Sequence, residues 1–504
     1  MNIMKTIDAF LNRITMYRLV VYVLCGYVGL AIIFALQGKF SFTPTDMIIS
    51  LALLLVPAFI VDKGFSRLFR IPTNTESWLI TSLILFLILR PSDSLSSGIA
   101  LVLAGAVSSA SKFILTWNDR HIFNPAALAA ALVSLTALQS TTWWIGNSAF
   151  WPFTLLFGLA IVYKIRRMPL FVTFVSVSVV LQLLLFVLHQ QPIAVGMKGT
   201  LIASPLLFLA TIMLTEPATM PPRRKQQILF AAIVAVLYVM AWEIGPFYIY
   251  PEVALLLGNI YAFAVSPKFR LSLRLTEIQR ISDMVYNYVF QPNRRFTFLP
   301  GQYMEWTLAG VPYDSRGNRR TFTIASSPTE DTVQVGLKYY EPASAYKATF
   351  GHMQIGDVIH ASQLAGNFTV DPHGTEKLVF IAGGIGITPF RSMVKYFLDK
   401  NIVRDVVLLY VVSDPTEIAY AREFDEARRV GVRFVPVVTQ QGYMAAGVIS
   451  AKLSQELIAQ LVPDYAARTF YVSGPPTMVD GTKRYLSGLQ VPHANVKTDH
   501  FSGY

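Results

Sequence analysis

The sequence predicts a multidomain chain: a polytopic α-helical membrane domain of about ten spans over residues 1–268, an antiparallel β-barrel domain over 269–372, and an α/β domain with a parallel sheet over 373–504. Three observations predict this. Hydrophobic residues make up 53% of the 504 positions and charged residues only 14%, whereas soluble domains carry roughly a quarter charged. Apolar runs recur without pause to about residue 268 and then stop. Beyond that point short alternating runs give way, after about residue 375, to strands alternating with helical patterns, the mark of βαβ units around a parallel sheet.

The apolar runs fall at roughly 17–36, 45–62, 77–90, 97–115, 124–139, 150–164, 169–188, 200–215, 227–243 and 250–266. A helical span needs about 20 apolar residues, and several of these runs are shorter. Charge placement is an independent check. With the N-terminus inside, seventeen Lys and Arg residues lie on the inner side, among them Arg18, Arg67, Arg120, Arg167 and Arg224, against Lys39, Arg90 and Lys198 outside. This positive-inside bias explains much of the net charge of +12, so the basic balance points to the lipid bilayer and not to nucleic acid. It predicts a multi-pass protein of the inner, cytoplasmic membrane with both termini in the cytoplasm. The first apolar run is long and lacks a small-residue cleavage site, so no cleaved signal peptide is expected. The single cysteine, Cys25, can neither close an internal disulfide nor ligate an iron–sulfur cluster. His121 and His189 sit at opposite sides of the apolar half, which excludes a two-haem core, and no metal site is expected.

In the last third, "KLVFIAG" runs a strand into Gly383, Gly384 and Gly386, where the backbone can approach a pyrophosphate. Thr388 and Pro389 are then expected to open a helix, as capping residue and first-turn proline, presenting N–H groups to an anion. Alone, such a turn also fits a tight strand–helix connection with no ligand. Upstream, "RRTFTIASSP" offers the planar fork of Arg320 to a phosphate, with the ring of Phe322 and the hydroxyl of Thr323 beside it. Downstream, "FYVSGPPTMV" ends a strand in a Gly474–Pro475 turn, at the edge where such sheets bind ligands. The chain closes on "DHFSGY". Taken singly, Arg320 is a solvated strand arginine and Phe501 and Tyr504 a frayed end; four such elements in this order argue against the bland reading of each.

Residues 269–504 resemble the ferredoxin–NADP reductase superfamily, in which an antiparallel barrel holds FAD and an α/β domain holds NADH or NADPH. The resemblance implies that Arg320 contacts the FAD pyrophosphate, Phe322 packs on the isoalloxazine and Thr323 lies near its N5. "YEPASAYKATF" falls where the family places a second pyrophosphate contact, which would use Ser344 and Lys347. Gly383, Gly384, Gly386 and Thr388 match the nicotinamide-nucleotide turn. Gly474 and Pro475 match a Cys-Gly-Pro turn in which Ser473 replaces the cysteine, and Phe322 replaces a commoner tyrosine. Phe501 and Tyr504 resemble aromatic tails that cover the flavin. The candidate catalytic residues are Thr323, Ser473 and Phe501; a flavin accepts hydride and passes on single electrons, and no side chain is needed as general acid or base. Asp414 favours NADH through a ribose hydroxyl, while Arg422 leaves NADPH open.

Two inner-side loops of the apolar half stand out. "WNDRHIFNPAALAAAL" carries Asn118, Asp119, Arg120 and Asn124, and "LTEPATMPPRRK" carries Thr215, Glu216 and Thr219. Polar groups at a break between spans line sites, though each loop alone is equally a charged turn. Phe123-Asn124-Pro125-Ala126 and Thr215-Glu216-Pro217-Ala218-Thr219-Met220-Pro221 resemble segments of the membrane-embedded, flavin-carrying components of two related redox complexes, the sodium-pumping NADH:quinone reductase and the Rnf complex. That resemblance, over roughly 40–266, implies a second, non-covalent flavin (FMN or riboflavin) near Asn124, Thr215 and Thr219. Those relatives attach FMN covalently to a threonine in a Ser-Gly-Ala-Thr stretch. The corresponding outer-side loop, "HQQPIAVGMKGT" (189–200), is short and has no such stretch, and Thr200 is no substitute, so no covalent FMN is expected. The function predicted is NAD(P)H oxidation through FAD, with electrons passed into or across the membrane to an extracytoplasmic flavoprotein. The alternatives are quinone as acceptor, or a redox-coupled ion transporter with Asp119, Glu216 and Glu243 as candidate ion-site residues.

Overall fold

A computed structural model describes residues 11 and 14–500, apart from 70–74, 118–119, 137, 241–242, 245–246, 269, 309–310, 312–317, 340–342 and 441–446. The chain falls into two compact units, Met1–Phe269 in one and Arg270–Tyr313 with Asn318–Tyr504 in the other.

The first unit is helical. Its elements are α1 (Met16–Leu36), α2 (Pro44–Phe69), α3 (Thr75–Ile88), α4 (Leu95–Ile114), α5 (Pro125–Leu135), α6 (Trp151–Lys164), α7 (Met168–Leu188) and α8 (Ile193–Ile202). They continue with α9 (Leu206–Met213), α10 (Arg224–Met240) and α11 (Pro251–Val265). Every apolar run of the sequence is helical over most of its described length. Among the described residues α1, α2, α4 and α7 are each long and apolar enough to cross a bilayer, and α8 with α9, bent by 44°, meet the same measure together, as one broken span or a re-entrant loop. These helices are consistent with a membrane-associated protein. The shorter ones stop early for local reasons. Asn124 closes the start of α5, its Oδ1 accepting from the Ala127 N–H at 2.9 Å, and Pro125 occupies the first turn.

Two departures from the sequence reading concern the run at 200–215. Helix begins earlier, at Ile193, so most of the stretch expected to be a loop is helical, and Thr200 donates to the Gly196 carbonyl at 3.1 Å. The second half of α9, Leu209–Met213, is π-helical, a geometry that concentrates at functional sites.

The second unit holds two six-stranded sheets. The first comprises β1 (Leu271–Arg280), β2 (Val285–Pro292), β3 (Tyr303–Thr307), β4 (Arg319–Thr323), β5 (Val333–Lys338) and β6 (Val358–Ala365). It runs antiparallel in the order β4-β3-β6-β1-β2-β5. The Ala325 N–H just beyond β4 donates to the Gln334 carbonyl of β5 at 2.8 Å, so the two edges of the sheet curl toward one another. A short helix, α12 (Ala345–Gly351), follows β5.

The second sheet is parallel throughout, in the order β10-β9-β8-β7-β11-β12. Its strands are β7 (Lys377–Gly383), β8 (Val406–Val412), β9 (Val432–Val438), β10 (Ile449–Ser450), β11 (Arg468–Gly474) and β12 (Val496–His500). Helices α13 (Thr388–Lys400), α14 (Ala421–Glu426), α15 (Gln455–Leu461) and α16 (Pro476–Gly488) connect them. β8 is buried along its whole length, as a strand covered by helices on both faces must be.

Candidate functional site

In the second unit the predicted residues gather at two places. On β4, side chains alternate, so Arg320 and Phe322 share one face while Thr323, buried, lies on the other. The Arg320 guanidinium stands 5.0 Å over the ring of Tyr346 and donates to the Arg319 carbonyl at 2.7 Å. The Phe322 ring packs against Trp306, Tyr346 and Phe350 at 5.9–6.5 Å between centroids. Tyr346 therefore organises the face. It is fully buried, and its hydroxyl donates to the Trp306 carbonyl at 3.2 Å; burial pushes that hydroxyl well above its ordinary pKa. Ser344 caps α12 by accepting from the Lys347 N–H, and the Lys347 ammonium donates to the Lys338 carbonyl at 2.9 Å. Both side chains are thus committed to protein partners.

The second place is where β7 and β11, side by side, both end in glycine turns. These turns pack backbone on backbone. A Cβ at Gly386 would lie 2.5 Å from the Ser473 carbonyl, one at Gly474 3.1 Å from the Gly383 Cα, and one at Gly383 on the Met478 sulfur and the Pro475 ring. Gly384 is different: its φ is +51° and nothing lies within 4 Å of the Cβ position. Three glycines make the turns fit each other, and the fourth leaves backbone open to a ligand.

One expectation fails at this turn. Thr388 does not cap α13; it is the first helical residue, and its hydroxyl donates back to the Ile385 carbonyl at 3.2 Å. The residue before it, Ile387, has no side-chain acceptor to offer. The N–H groups at this helix start are therefore left without a side-chain cap, which suits an anion. Nearby, the Ser473 Oγ is buried and has no hydrogen-bond partner, an uncompensated cost that a ligand amide would relieve. Pro475 precedes α16. Asp414 accepts from the Thr416 N–H and hydroxyl at 2.8 and 2.6 Å, which holds its carboxyl below the usual range. Phe501 and Tyr504 lie outside the described residues. A guanidinium on an aromatic wall, an open left-handed glycine and an orphaned hydroxyl fit a flavin and a nicotinamide dinucleotide.

Sequence reasoning missed the residues that join the two sheets. Arg391 of α13 donates to both Glu330 oxygens at 2.5 and 3.1 Å and to Glu423 at 2.9 Å. Tyr420 donates to Asn287 at 3.2 Å. Both lie in amphipathic patterns with no local signal of a long-range partner.

In the first unit the two polar loops meet. Asn124 Nδ2 donates to Glu216 Oε2 at 2.6 Å, and Thr219 Oγ1 donates to the same oxygen at 3.2 Å. Asn259, another residue the sequence did not reveal, bridges both loops: its Oδ1 accepts from the Asn124 N–H at 2.9 Å and its Nδ2 donates to the Thr219 carbonyl at 3.2 Å. Arg120 reaches across to the Met220 carbonyl at 2.8 Å. The Thr215 hydroxyl stays within its own helix, donating to the Thr211 carbonyl at 2.8 Å. Beside this junction lies a pocket lined by Ser77, Thr81, Asn124, Thr215 and Glu216 on a wall of Val20, Ile84, Ile161 and Ile212. Asn118 and Asp119 lie outside the described residues, and Glu243 is described in its backbone only. Among the described residues no cluster of three metal-ligating side chains occurs.

The curled antiparallel sheet followed by a parallel sheet, with an arginine face on one and paired glycine turns on the other, defines a ferredoxin reductase-like class of FAD- and NAD-binding module. Residues 380–484 match the family model described as "Oxidoreductase NAD-binding domain". The chain is 25% identical over 285 residues to a flavohemoprotein of Candida albicans, covering 53% of this chain and 68% of that protein. It is 27% identical over 249 residues to the reductase component of propane 2-monooxygenase of Mycolicibacterium smegmatis, covering 47% of this chain and 66% of that one. It is 28% identical over 197 residues to the NADH oxidoreductase HCR of Escherichia coli, covering 39% and 58%. The chain thus spans roughly two thirds or less of the length of these relatives. Its C-terminal half is an oxidoreductase module of this FAD-dependent, NAD(P)H-linked kind.

Proposed function

We propose that the protein is a membrane-bound flavoprotein oxidoreductase that takes electrons from cytoplasmic NADH or NADPH and passes them into the N-terminal unit for an extracytoplasmic flavoprotein. On this reading residues 1–268 form a transmembrane electron-transfer domain of about ten spans with both termini in the cytoplasm, 269–372 the FAD domain and 373–504 the NAD(P)H domain. The observation that carries it is the meeting of two separate polar loops at Asn124 and Glu216, 2.6 Å apart, beside a mostly apolar pocket. An apolar pocket with a few convergent polar groups has the composition of a ligand site.

Bound FAD supplies the conversion between two-electron and one-electron chemistry. The chain's own residues bind, orient and shield. Arg320, propped on Tyr346, holds pyrophosphate charge, and Phe322 with its aromatic neighbours gives the isoalloxazine a flat wall. Gly384 admits the nucleotide backbone, the uncapped start of α13 faces its phosphates, and Ser473 gives the nicotinamide a hydroxyl. Ser344 and Lys347 support the flavin side indirectly, through the α12 cap and the β5 main chain. Asn124, Thr219 and Glu216, with Thr215 in the pocket wall, hold a second, non-covalent flavin. The isoleucine-rich wall favours one other occupant, the apolar body of a quinone.

The test is flavin content. Purified in detergent and denatured, the chain should release FAD and a second dissociable flavin, both bleached beforehand by anaerobic NADH. FAD alone, at one per chain, would move the acceptor to quinone. No FAD at all would sink the reading.

A further inference from the structure

Gly336 lies in β5, the edge strand of the curled sheet, and is buried. Its backbone has no unusual conformation to demand glycine; the demand comes from what sits on it. A Cβ there would lie 2.7 Å from the Tyr420 hydroxyl oxygen, 2.8 Å from the Thr388 Cγ2 and 3.4 Å from the Ile385 Cδ1. Ile385 and Thr388 belong to the glycine turn and the first residue of α13. This strand position is therefore where the turn proposed to carry the nucleotide rests on the sheet proposed to carry the flavin.

None of these neighbours yields easily. Thr388 is β-branched, which stiffens its χ1, and it is buried. Tyr420 has a left-handed backbone, φ +58°, a conformation that costs a non-glycine residue free energy and persists only where surroundings fix it. They do fix it here. Its hydroxyl donates to Asn287, the direct cross-strand partner of Gly336, at 3.2 Å. The Asn287 amide is itself pinned by donating to Gln279 and Gln334 at 3.1 and 2.9 Å. The Arg391 guanidinium stacks 5.8 Å from the Tyr420 ring. Two residues along the same strand, on the same face, the Lys338 ammonium pairs with Glu417 at 2.7 Å. The sheet is thus tied to the α/β layer opposite the glycine, at Asn287, and two residues beyond it, at Lys338.

We infer that Gly336 and Tyr420 are positioning residues: the missing side chain and the hydroxyl that takes its place set the spacing between the flavin sheet and the glycine turn. The inference rests on the cofactor placement proposed above. Hydride transfer demands near-contact of donor and acceptor, and a misplacement of about 1 Å can cost on the order of 100-fold in rate. A methyl group at 336 would lift the turn by a distance of that order.

The test uses the full chain in detergent with FAD bound. Gly336→Ala should slow flavin bleaching at saturating NADH at least about tenfold, with FAD per chain unchanged and half-saturating NADH changed by less than about threefold. Amide hydrogen exchange over residues 383–388 should speed up in the same variant. Adding Tyr420→Phe, which removes the oxygen nearest the new methyl, should restore part of both. Tyr420→Phe alone keeps the ring, folds if Gly336→Ala does not, and should slow bleaching by about two- to fivefold with faster exchange at 383–388. Bleaching and exchange within twofold of the parent in either single variant would overturn the inference, as would a slow Gly336→Ala chain that Tyr420→Phe leaves unimproved. A parent chain that binds FAD but is not bleached by NADH or NADPH would instead count against the cofactor placement; the exchange measurement still decides whether Gly336 sets the turn.

Discussion

Glu330 and Glu216 are both half-buried carboxylates, one in each unit, and they keep different company. Glu330 faces full opposite charge: the Arg391 fork at 2.5 and 3.1 Å, with the Ser327 N–H at 2.6 Å and Gln334 at 3.1 Å completing its shell. Glu216 accepts from neutral groups, the Asn124 amide and the Thr219 hydroxyl, and the half-buried ammonium of Lys112 donates to the Ser77 carbonyl at 2.9 Å. A carboxylate matched by a touching cation is a tie between elements. One held by dipoles at the lip of a pocket keeps acceptor capacity for something that enters. The first kind of group is expected to govern stability and the second occupancy.

The largest effect should come from breaking the tie. Arg391→Ala leaves Glu330 and Glu423 facing each other without their cation, and removing one partner of a buried pair costs about 3 kcal/mol or more. Chemical denaturation followed by FAD release should show the midpoint fall sharply in this variant, and Arg391→Lys should recover only part, because an ammonium cannot reproduce the fork. An unchanged midpoint would mean that Arg391 is not the tie its geometry suggests.

Glu216→Gln sharpens the other side. The amide keeps an oxygen for Asn124, so the fold should lose less than about 1 kcal/mol. Bleaching of FAD by NADH should stay within about twofold, while the dissociable second flavin, or electron delivery to an outer acceptor, drops severalfold. If the second flavin stays at parent level, the junction is structural. Asn124→Ala is the control in the opposite sense: it removes the α5 cap, typically about 1 kcal/mol, and strips Glu216 of its shortest donor.

The same contrast explains what is legible in the sequence. Strand alternation, the glycine turn and the two polar loops are local patterns, and each lies where the sequence places it. The ties are not local. Arg391 meets Glu330 across 61 positions of sequence, and Tyr420 meets Asn287 across 133. Nothing in "PFRSMVKYFLDK" or "EIAYAREFDE" sets these residues apart from any amphipathic helix. Tyr346 is similarly silent, since an aromatic in a short helix reads as core; its place beneath Arg320 follows only from β4 and α12 coming together. In the apolar half, composition locates the described helices other than α8, which falls in the expected loop, but not their lengths. The ends are set by caps such as Asn124 and by the bend between α8 and α9, and period-counting over an apolar run contains neither. Thr388 departs from its expected role for a related reason: a threonine before proline matches a cap, but the 3-10 turn through Gly384–Ile387 moves it inside the helix.

The smallest effect concerns a charge group of a third kind, whose carboxylate, Asp464, is open to water although its Arg468 partner is buried. Asp464 accepts from Arg468 Nε at 2.7 Å and from Lys377 at 2.9 Å, and these two hydrogen bonds, Arg468 first, hold its carboxyl well below the usual range. A depressed folded pKa means that the unfolded chain takes up the proton first. The stabilisation is therefore present above the unfolded value, about 4, and is lost as pH falls through that value toward the lower folded one. The Asp464 side chain is 38% exposed, so water and salt screen it and its worth stays below about 1 kcal/mol. Asp464→Asn should remove a small part of the stability lost below about pH 4 and nothing measurable at pH 7 in high salt. The Arg391 network, more withdrawn from solvent, should keep its effect in the same high-salt buffer. Denaturation midpoints of both variants at low and high salt separate the two cases; equal salt sensitivity would show that burial does not distinguish them.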